Sequence, residues 1–219
     1  MAAARRYQGP VVTADAVCVR VAPGHLELLT IVREREPFAG QRALPGVYVN
    51  AGETIAEATR RCLASKAGVQ LPPAHFRVTV EVYDSLDRDP RGHSLSVVSL
   101  LVAPAGNDND AASLGRSDDW FAIGEVPQLA FDHDDIVATA TAWLHSRLWQ
   151  DAALLASLVG ERPRTTATLV DIAEAVSGEA VDVSNLRRRA IASGLVEPTG
   201  AAARPAGRGR PSTTWRWVA

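Results

Sequence analysis

A short segment close to the C-terminus is rich in arginine, a residue type that often binds nucleic acids. Residues 182–219 contain seven arginines and two acidic residues, whereas residues 1–181, with 16 basic and 23 acidic residues, carry a net charge of −7. Opposite charges in two parts of one chain indicate two tasks, and the basic part suits a polyanion. Arginine binds guanine and asparagine binds adenine through paired hydrogen bonds in the major groove. This segment therefore predicts DNA binding.

The candidate DNA-binding side chains lie on a predicted helix and on the basic segment that follows it. Val183, Leu186 and Ala190 recur at the spacing of one face of a helix over residues 183–193, which Asp182 can cap. The other face and its flanks could contact bases and phosphates, and the Gly-rich segment could approach the DNA backbone closely. The predicted DNA-binding residues are Ser184, Asn185, Arg187, Arg188, Arg189, Arg208 and Arg210.

The elements around this helix follow the order of a winged helix-turn-helix. Another helix is predicted over residues 169–176 with Thr168 as its N-cap, and strands are predicted over residues 195–198 and 213–218. An arginine-rich helix by itself is often no more than a solvated surface. As the second helix of such a pattern, followed by a basic wing, it favours DNA binding instead.

The longer N-terminal part alternates strand patterns with helix patterns. Strands are predicted over residues 11–21, 26–33, 76–83 and 94–102, and helices over residues 54–67 and 134–149. Residues 103–119 are predicted to form a surface loop and residues 159–167 a linker, because both are rich in small and turn-forming residues. We therefore expect an α+β fold with two domains, residues 1–158 and 159–219.

The composition excludes several classes of protein. No apolar run reaches the roughly 18 residues that a membrane span needs. The first residues contain two arginines without a following apolar stretch, so no secretory signal is expected. Cys18 and Cys62 are too few for a disulfide framework or a four-ligand zinc site. The sequence therefore predicts a soluble, cytoplasmic protein that binds neither membrane nor metal.

Residues 43–69 resemble the Nudix box, a loop–helix–loop motif that cradles a diphosphate. Glu53 occupies the position of the first glutamate of that motif, and Arg61 the position of its arginine. Leu63 and Gly68 match the apolar position and the glycine near its end. The resemblance implies a Nudix-like α/β/α sandwich as the scaffold of the first domain.

The same segment departs from the Nudix box at the positions that bind metal in active enzymes of the family. Cys62, Ser65 and Lys66 replace glutamates that hold Mg²⁺ there. Magnesium requires several hard oxygen ligands, which a thiol, a hydroxyl and an ammonium cannot supply. Glu53 and Glu57 could still hold an ion weakly. We therefore expect no enzyme activity by the usual metal-assisted hydrolysis and no bound cofactor.

Five segments in order resemble the NrtR family, the Nudix-related transcriptional regulators of NAD metabolism. These segments are residues 33–46, 87–96, 128–136, 184–200 and 207–217. The resemblance covers nearly the full chain and implies a Nudix-like domain followed by a winged helix-turn-helix. It further implies a homodimeric repressor of NAD biosynthesis or salvage genes. Such a repressor binds a palindromic operator in double-stranded DNA and responds to ADP-ribose or a related nucleotide.

The resemblance assigns the nucleotide effector to the first domain. Guanidinium groups bind phosphate oxygens in pairs, so arginines near the box and in the 87–93 segment are expected partners of a diphosphate. The predicted effector-binding residues are Arg33, Arg35, Glu53, Arg88 and Arg91. Asp87 and Asp89 could instead lock Arg88 or Arg91 in a structural turn. Phe131 could stack on an adenine or pack in the core, and Asp132 and His133 are expected to cap the following helix or orient its loop.

Two other functions fit parts of the pattern. The chain could be a Nudix hydrolase of ADP-ribose, or of another nucleoside diphosphate, with an appended regulatory domain. It could also be an adaptor whose winged helix binds protein. Release of AMP from ADP-ribose in the presence of Mg²⁺ would distinguish the hydrolase from a repressor without enzyme activity. An Arg188→Ala variant with unchanged DNA affinity would favour the second.

Overall fold

A computed structural model of the chain describes residues 9–71, 77–103, 114–116, 119–159, 164–203 and 212–218. The strands in chain order are β1 (Val11–Ala22), β2 (His25–Leu29), β3 (Ile31–Val32), β4 (Arg42–Ala43), β5 (Gly46–Tyr48), β6 (Arg77–Tyr83), β7 (Ser94–Val102), β8 (Trp120–Ala122), β9 (Arg164–Thr165), β10 (Val196–Ala203) and β11 (Ser212–Trp217). The helices are α1 (Ile55–Ala67), α2 (His133–Arg147), α3 (Ala152–Val159), α4 (Thr166–Ser177) and α5 (Val183–Ser193). Within these ranges no helix combines the length and hydropathy needed to cross a bilayer.

A mixed sheet forms the centre of the first part of the chain. Its strands are ordered β6–β7–β1–β2–β8, and β5 also pairs with β1. The β1–β7 pair is parallel and runs from Val11 opposite Ser94 to Val19 opposite Val102. The other strand pairs of this sheet are antiparallel. Because β2 and β5 pair with different ends of β1, the chain between them opens into the loops that surround the candidate site.

Helices cover both faces of this sheet, because successive side chains of β1 point to opposite sides. Ala16 and Cys18 are buried in a cluster with Leu63 of α1. Val17 and Val19 are buried in the other cluster, which includes the apolar side chains of α2. The result is the α/β/α sandwich that the Nudix-like segment implies.

The C-terminal part forms a winged helix-turn-helix, as expected from the order of its elements. Helices α4 and α5 precede a three-stranded sheet of order β10–β11–β9. Leu186 of α5 and Trp215 of β11 are buried, and the Trp215 indole donates a 3.0 Å hydrogen bond to the Thr166 hydroxyl. Leu186 and Trp215 belong to the same apolar cluster as Val17 of β1. The predicted division at residues 158 and 159 falls at the end of α3 and stays a prediction.

The ends of α1 and α5 agree with their local sequence signals. Thr54 caps α1 in a reciprocal pair with Glu57, as in a capping box. The Asp182 carboxylate accepts a 2.7 Å hydrogen bond from the Asn185 backbone, and α5 ends at Gly194 with φ of 67°. Glycine adopts this left-handed conformation without a steric penalty.

The predicted start of α4 is wrong by three residues. Thr165 is the N-cap instead of Thr168, and its hydroxyl accepts a hydrogen bond from the Thr168 backbone at 3.2 Å. The reason is tertiary, because β9 pairs with β11 up to Thr165 and the helix begins directly behind that strand. The local sequence contains several threonines, and strand pairing decides which one caps the helix.

Other elements differ from the sequence-based expectation where packing overrides local patterns. The predicted strand over residues 26–33 is interrupted at Thr30, whose backbone N–H donates to the Asp119 carbonyl at 2.8 Å. Helix α3 was not predicted, because its sequence AALLASLV lacks a polar face. Its leucines Leu154, Leu155 and Leu158 are all buried. Strand β10 continues to Ala203, beyond the predicted residue 198.

Candidate functional site

A cleft of about 630 Å³ opens beside β1, where α1, the segment after β3, the β6–β7 loop and the turn before α2 meet. Three acidic residues line it: Asp15, Glu34 and Asp89. Six basic residues line it: Arg33, Arg35, Arg61, Lys66, Arg88 and Arg91. Four of the five predicted effector-binding residues therefore meet in one basic cleft, whereas Glu53 lies outside its lining.

Arg33 and Phe131 form one wall of the cleft. The guanidinium carbon of Arg33 lies 4.5 Å from the centre of the Phe131 ring, and its Nε donates to the Pro37 carbonyl at 2.8 Å. Partial burial lowers the pKa of Arg33, and the neighbouring Arg91 adds to this effect. Phe131 also packs edge-on against Phe38, with ring centres 4.8 Å apart. Phe131 therefore packs against protein and faces the cleft at the same time.

Phe131 is held in an uncommon backbone conformation. Its φ is 60°, in the left-handed region that side chains with a Cβ rarely adopt. Such a conformation persists only where the surrounding contacts determine it, and it is common at ligand sites. The contacts with Phe38 and Arg33 hold the Phe131 ring at the edge of the cleft.

Arg88 has a structural partner. Its Nε and Nη2 donate to the two Asp132 carboxylate oxygens at 2.9 and 2.8 Å, and its Nη1 donates to the Ser94 hydroxyl at 3.0 Å. The Arg88 side chain is only 5% exposed. Asp132 is the N-cap residue of α2 but makes no side-chain capping hydrogen bond, so of its two predicted roles the structure shows the orientation of the loop. The pair ties the β6–β7 loop to the start of α2.

Arg91 is held at the rim of the cleft by Asp89. Its Nε and Nη2 donate to the Asp89 carboxylate at 2.9 and 2.7 Å. The Arg91 hydrogen bond holds the pKa of Asp89 below its usual range. The expectation that an aspartate locks an arginine in this turn is confirmed for Asp89, whereas Asp87 accepts a hydrogen bond from Ser85. Arg91 remains 44% exposed and lines the cleft.

The carboxylates at the start of α1 already have partners in the protein. Glu53 accepts hydrogen bonds from Nε and Nη2 of Arg61 at 2.7 and 2.8 Å, and from the Asn50 backbone at 2.9 Å. The Arg61 hydrogen bond lowers the pKa of Glu53 to about 2. Glu57 accepts hydrogen bonds from the backbone and hydroxyl of Thr54. Both carboxylates stabilise the loop and the helix start.

The residues of this segment do not fit a magnesium site. Cys62 is buried, and burial raises the pKa of its thiol, so that it stays uncharged. Ser65 and Lys66 line the cleft where a metal would have to bind. Among the residues that the structure describes, no three His, Cys, Asp or Glu side chains cluster closely enough to hold a metal ion. A hydroxyl and an ammonium do not replace the oxygen ligands that Mg²⁺ requires.

The floor of the cleft contains an acid that the sequence analysis missed. Asp15 is 6% exposed and accepts hydrogen bonds from the hydroxyls of Ser96 and Thr13. A Cβ on Gly46 would lie 1.9 Å from Asp15 Oδ1, so any larger residue at position 46 would have to displace the Asp15 carboxylate. The available signal was an aspartate within the apolar strand pattern of residues 11–21, since a buried acid needs partners.

His133 orients the turn at the start of α2, as expected. It is buried, and its Nδ1 accepts a 2.9 Å hydrogen bond from the Leu44 backbone. Burial lowers the pKa of His133, which therefore stays neutral with its proton on Nε2. The imidazole joins the loop before β5 to α2, and it lines the same cleft as Asp15.

The second candidate surface is the exposed side of α5. Leu186 and Ala190 are buried as predicted, but Val183 is 44% exposed, because it lies in the first turn beyond the core. All the predicted DNA-binding residues of the helix are exposed: Ser184, Asn185, Arg187, Arg188 and Arg189. The Arg188 guanidinium donates to the Asn185 amide oxygen. Arg208 and Arg210 lie outside the described residues.

A groove separates α5 from the C-terminal end of α2. Its volume is about 960 Å³, and Asn185, Arg188 and Arg189 line it on one side. His145 and Trp149 line it on the other side. The polar face of α5 is therefore adjacent to α2, whose first residue, His133, lines the basic cleft.

The geometry of the first part of the chain agrees with comparison to known proteins. The sequence pattern of the NUDIX domain family matches residues 11–144. The chain belongs to the Nudix family. A Nudix relative, the ADP-ribose pyrophosphatase of Methanocaldococcus jannaschii, is 34% identical over 139 residues, which cover 64% of this chain and 78% of that protein.

The similarity to the NrtR group of Nudix proteins extends into the winged helix. The ADPR responsive transcriptional repressor NtrR of Acinetobacter baylyi is 30% identical over 198 residues, or 88% of this chain and 77% of that protein. The crystal structure of Shewanella oneidensis NrtR complexed with a 27mer DNA has a TM-score of 0.73 and 26% identity. The superposed region covers 94% of this chain and 93% of the Shewanella chain. The resemblance to the NrtR family is thereby confirmed.

Proposed function

We propose that this Nudix protein is a DNA-binding transcriptional repressor of NAD biosynthesis or salvage genes that senses ADP-ribose. The observation that carries the proposal is the similarity over nearly the full chain to Shewanella NrtR in its complex with DNA. The Acinetobacter relative, described as ADPR responsive, supports the choice of effector. The repressor acts as a homodimer, whose two-fold symmetry matches a palindromic operator.

The basic cleft is the proposed effector site. ADP-ribose carries two negative charges on a diphosphate that joins two ribose groups, and the cleft has more basic than acidic lining residues. Arg33 and Arg91 line the cleft beside Phe131, with guanidinium carbons 4.5 and 5.7 Å from the ring centre. Guanidinium groups bind phosphate oxygens, and a half-buried aromatic ring at the edge of a cleft suits a base or a sugar face.

The exposed face of α5 is the proposed reading surface for the operator. Ser184, Asn185 and Arg188 would contact base edges, and Arg187 and Arg189 would contact phosphates on either side. The Arg188–Asn185 hydrogen bond holds both side chains together on one face in the absence of DNA. Arg208 and Arg210 of the wing would add phosphate contacts.

Helix α2 is the proposed link between the two sites. Its 15 residues correspond to a length of about 22 Å. His133 at its first turn lines the cleft, and His145 near its end lines the groove beside α5. A ligand that moves the first turn of α2 would change the space available to α5. Release of DNA then requires only that ADP-ribose binds better to one arrangement than to the other.

The proposal is tested by a gel-shift titration on the promoter next to the chain's own gene. We expect a specific complex that ADP-ribose dissociates, with NAD as the comparison ligand. Arg188→Ala should cost about 1–3 kcal/mol of binding free energy and relax the preference at one base position. Arg60→Ala is the matched control, because it removes the same charge from an exposed position on α1. Equal effects of the two variants, or a shift insensitive to ADP-ribose, would contradict the proposal.

The archaeal relative provides a specific reason to test a second function, hydrolysis of ADP-ribose. The protein is incubated with ADP-ribose and Mg²⁺ while AMP is measured, with a known pyrophosphatase as the positive control. We expect no turnover, because Cys62, Ser65 and Lys66 supply no carboxylate to a metal. Turnover at ordinary enzyme rates would favour the hydrolase.

A further inference from the structure

We propose that the ammonium group of Lys66 takes the place of a divalent cation in this cleft, so that the effector's diphosphate binds without metal. The inference rests on the proposed function, because it concerns how an ADP-ribose-type ligand is held. It follows from the charge balance of the cleft and from the position of Lys66 on α1.

The cations of the cleft fall into two groups. Arg61, Arg88 and Arg91 each pair with a carboxylate of the protein, at 2.7 to 2.8 Å. Within the part of the chain that the structure describes, no such ion pair involves Lys66, Arg33 or Arg35. All three line the cleft. Their charges are therefore not shared with a carboxylate of the protein, and an anion meets them in full.

Most carboxylates in and beside the cleft already accept hydrogen bonds from the protein. Glu53 and Asp89 are the partners of Arg61 and Arg91. Asp15 accepts hydrogen bonds from hydroxyl groups at the floor. Recruitment of a divalent cation needs carboxylates that are free to coordinate it, and these three already have donors. Among the described residues of the lining, Glu34 is the remaining acid, and it faces six basic side chains, so the cleft favours an anion over a divalent cation.

The local structure favours a cation at residue 66. Lys66 lies in the last turn of α1, where the partial negative charge of the helix end stabilises positive side chains. A lysine ammonium is a compact point charge with three hydrogen-bond donors, and it binds phosphate in many nucleotide sites. Its flexible stem could follow the diphosphate, and this allows one residue to neutralise part of the charge that a metal would bridge.

The test is isothermal titration of the full chain with ADP-ribose, once with Mg²⁺ and once with EDTA. We expect equal affinities in the two buffers. Lys66→Gln should bind about tenfold more weakly in both, the effect of losing one charged hydrogen bond at a partly solvated site. Arg60→Gln removes a charge from the same helix outside the cleft lining, and it should change the affinity little.

The outcomes separate this inference from the proposed function. Binding of ADP-ribose that requires Mg²⁺, or equal effects of the two variants, would overturn the role of Lys66 and leave an ADP-ribose sensor in place. Wild-type protein that binds no ADP-ribose in either buffer would overturn the proposed effector, and the inference with it. Circular dichroism of both variants verifies that the exposed substitutions leave the fold intact.

Discussion

The Arg88–Asp132 pair allows a sharp test of whether a cleft arginine supports the fold or contacts the ligand. Removing one partner of a fully buried ion pair costs about 3–5 kcal/mol, because the other charge stays buried without compensation. Arg88 is 5% exposed and Asp132 is 18% exposed, so water can partly solvate the remaining carboxylate. We therefore expect Arg88→Met to lower the free energy of unfolding by about 2–4 kcal/mol.

The assay is urea denaturation of the wild type, Arg88→Met, Asp132→Asn and the double variant. The double variant should be more stable than the sum of the single effects predicts, with a coupling of about 1–3 kcal/mol, since the residues are in direct contact. Arg216→Met is the control, because its pair with Glu197 is solvated and should contribute less than about 1 kcal/mol. Unchanged stability of Arg88→Met together with loss of ADP-ribose binding would make Arg88 a ligand contact and refute this reasoning.

Three further predictions concern the core, the cleft floor and pH. Leu144→Ala, at a fully buried position on α2, should lower the free energy of unfolding by about 2–5 kcal/mol in urea titrations. Gly46→Ala should lower the free energy of unfolding by about 1–3 kcal/mol, because its Cβ would overlap Asp15. The control is Gly52→Ala, whose Cβ would meet no atom, so that it tests the effect of the left-handed backbone conformation alone. Burial lowers the pKa of His133 from its usual 6.5, so the unfolded chain binds a proton that the native state does not. Stability should thus decline as the pH falls below about 6.5, and His133→Asn should show less of this decline.

The helix ends that the sequence predicted correctly depend on short-range contacts. The Thr54–Glu57 capping box and the Asp182–Asn185 cap each involve residues three apart, so the local pattern contains all the information. Thr168 failed as a predicted N-cap because β9 pairs with a strand some 50 residues later in the chain. Helix α3 was missed because an apolar segment without a polar face has no period to detect.

In the candidate cleft, the sequence predicted the types of the lining residues but not most of their partners. The sequence singled out arginines as phosphate partners from their chemistry, and four of the predicted effector residues do line one cleft. Their different tasks depend on neighbours that are distant in the chain, since Arg88 meets Asp132 across 44 positions while Arg91 meets Asp89 two residues away. Only the second pairing could be suggested from spacing.

By itself, the sequence determined the order of the two parts of the chain, the strand and helix patterns of the sandwich, and the presence of cysteine, serine and lysine at residues 62, 65 and 66. These properties reside in residue type and periodicity, which every segment carries independently of its surroundings. Tertiary structure alone decided which cleft charges are neutralised within the protein, and that α2 reaches from the cleft to the groove beside α5. Electrostatic partners and helix neighbours are set by distances in space, and the folded chain creates those distances.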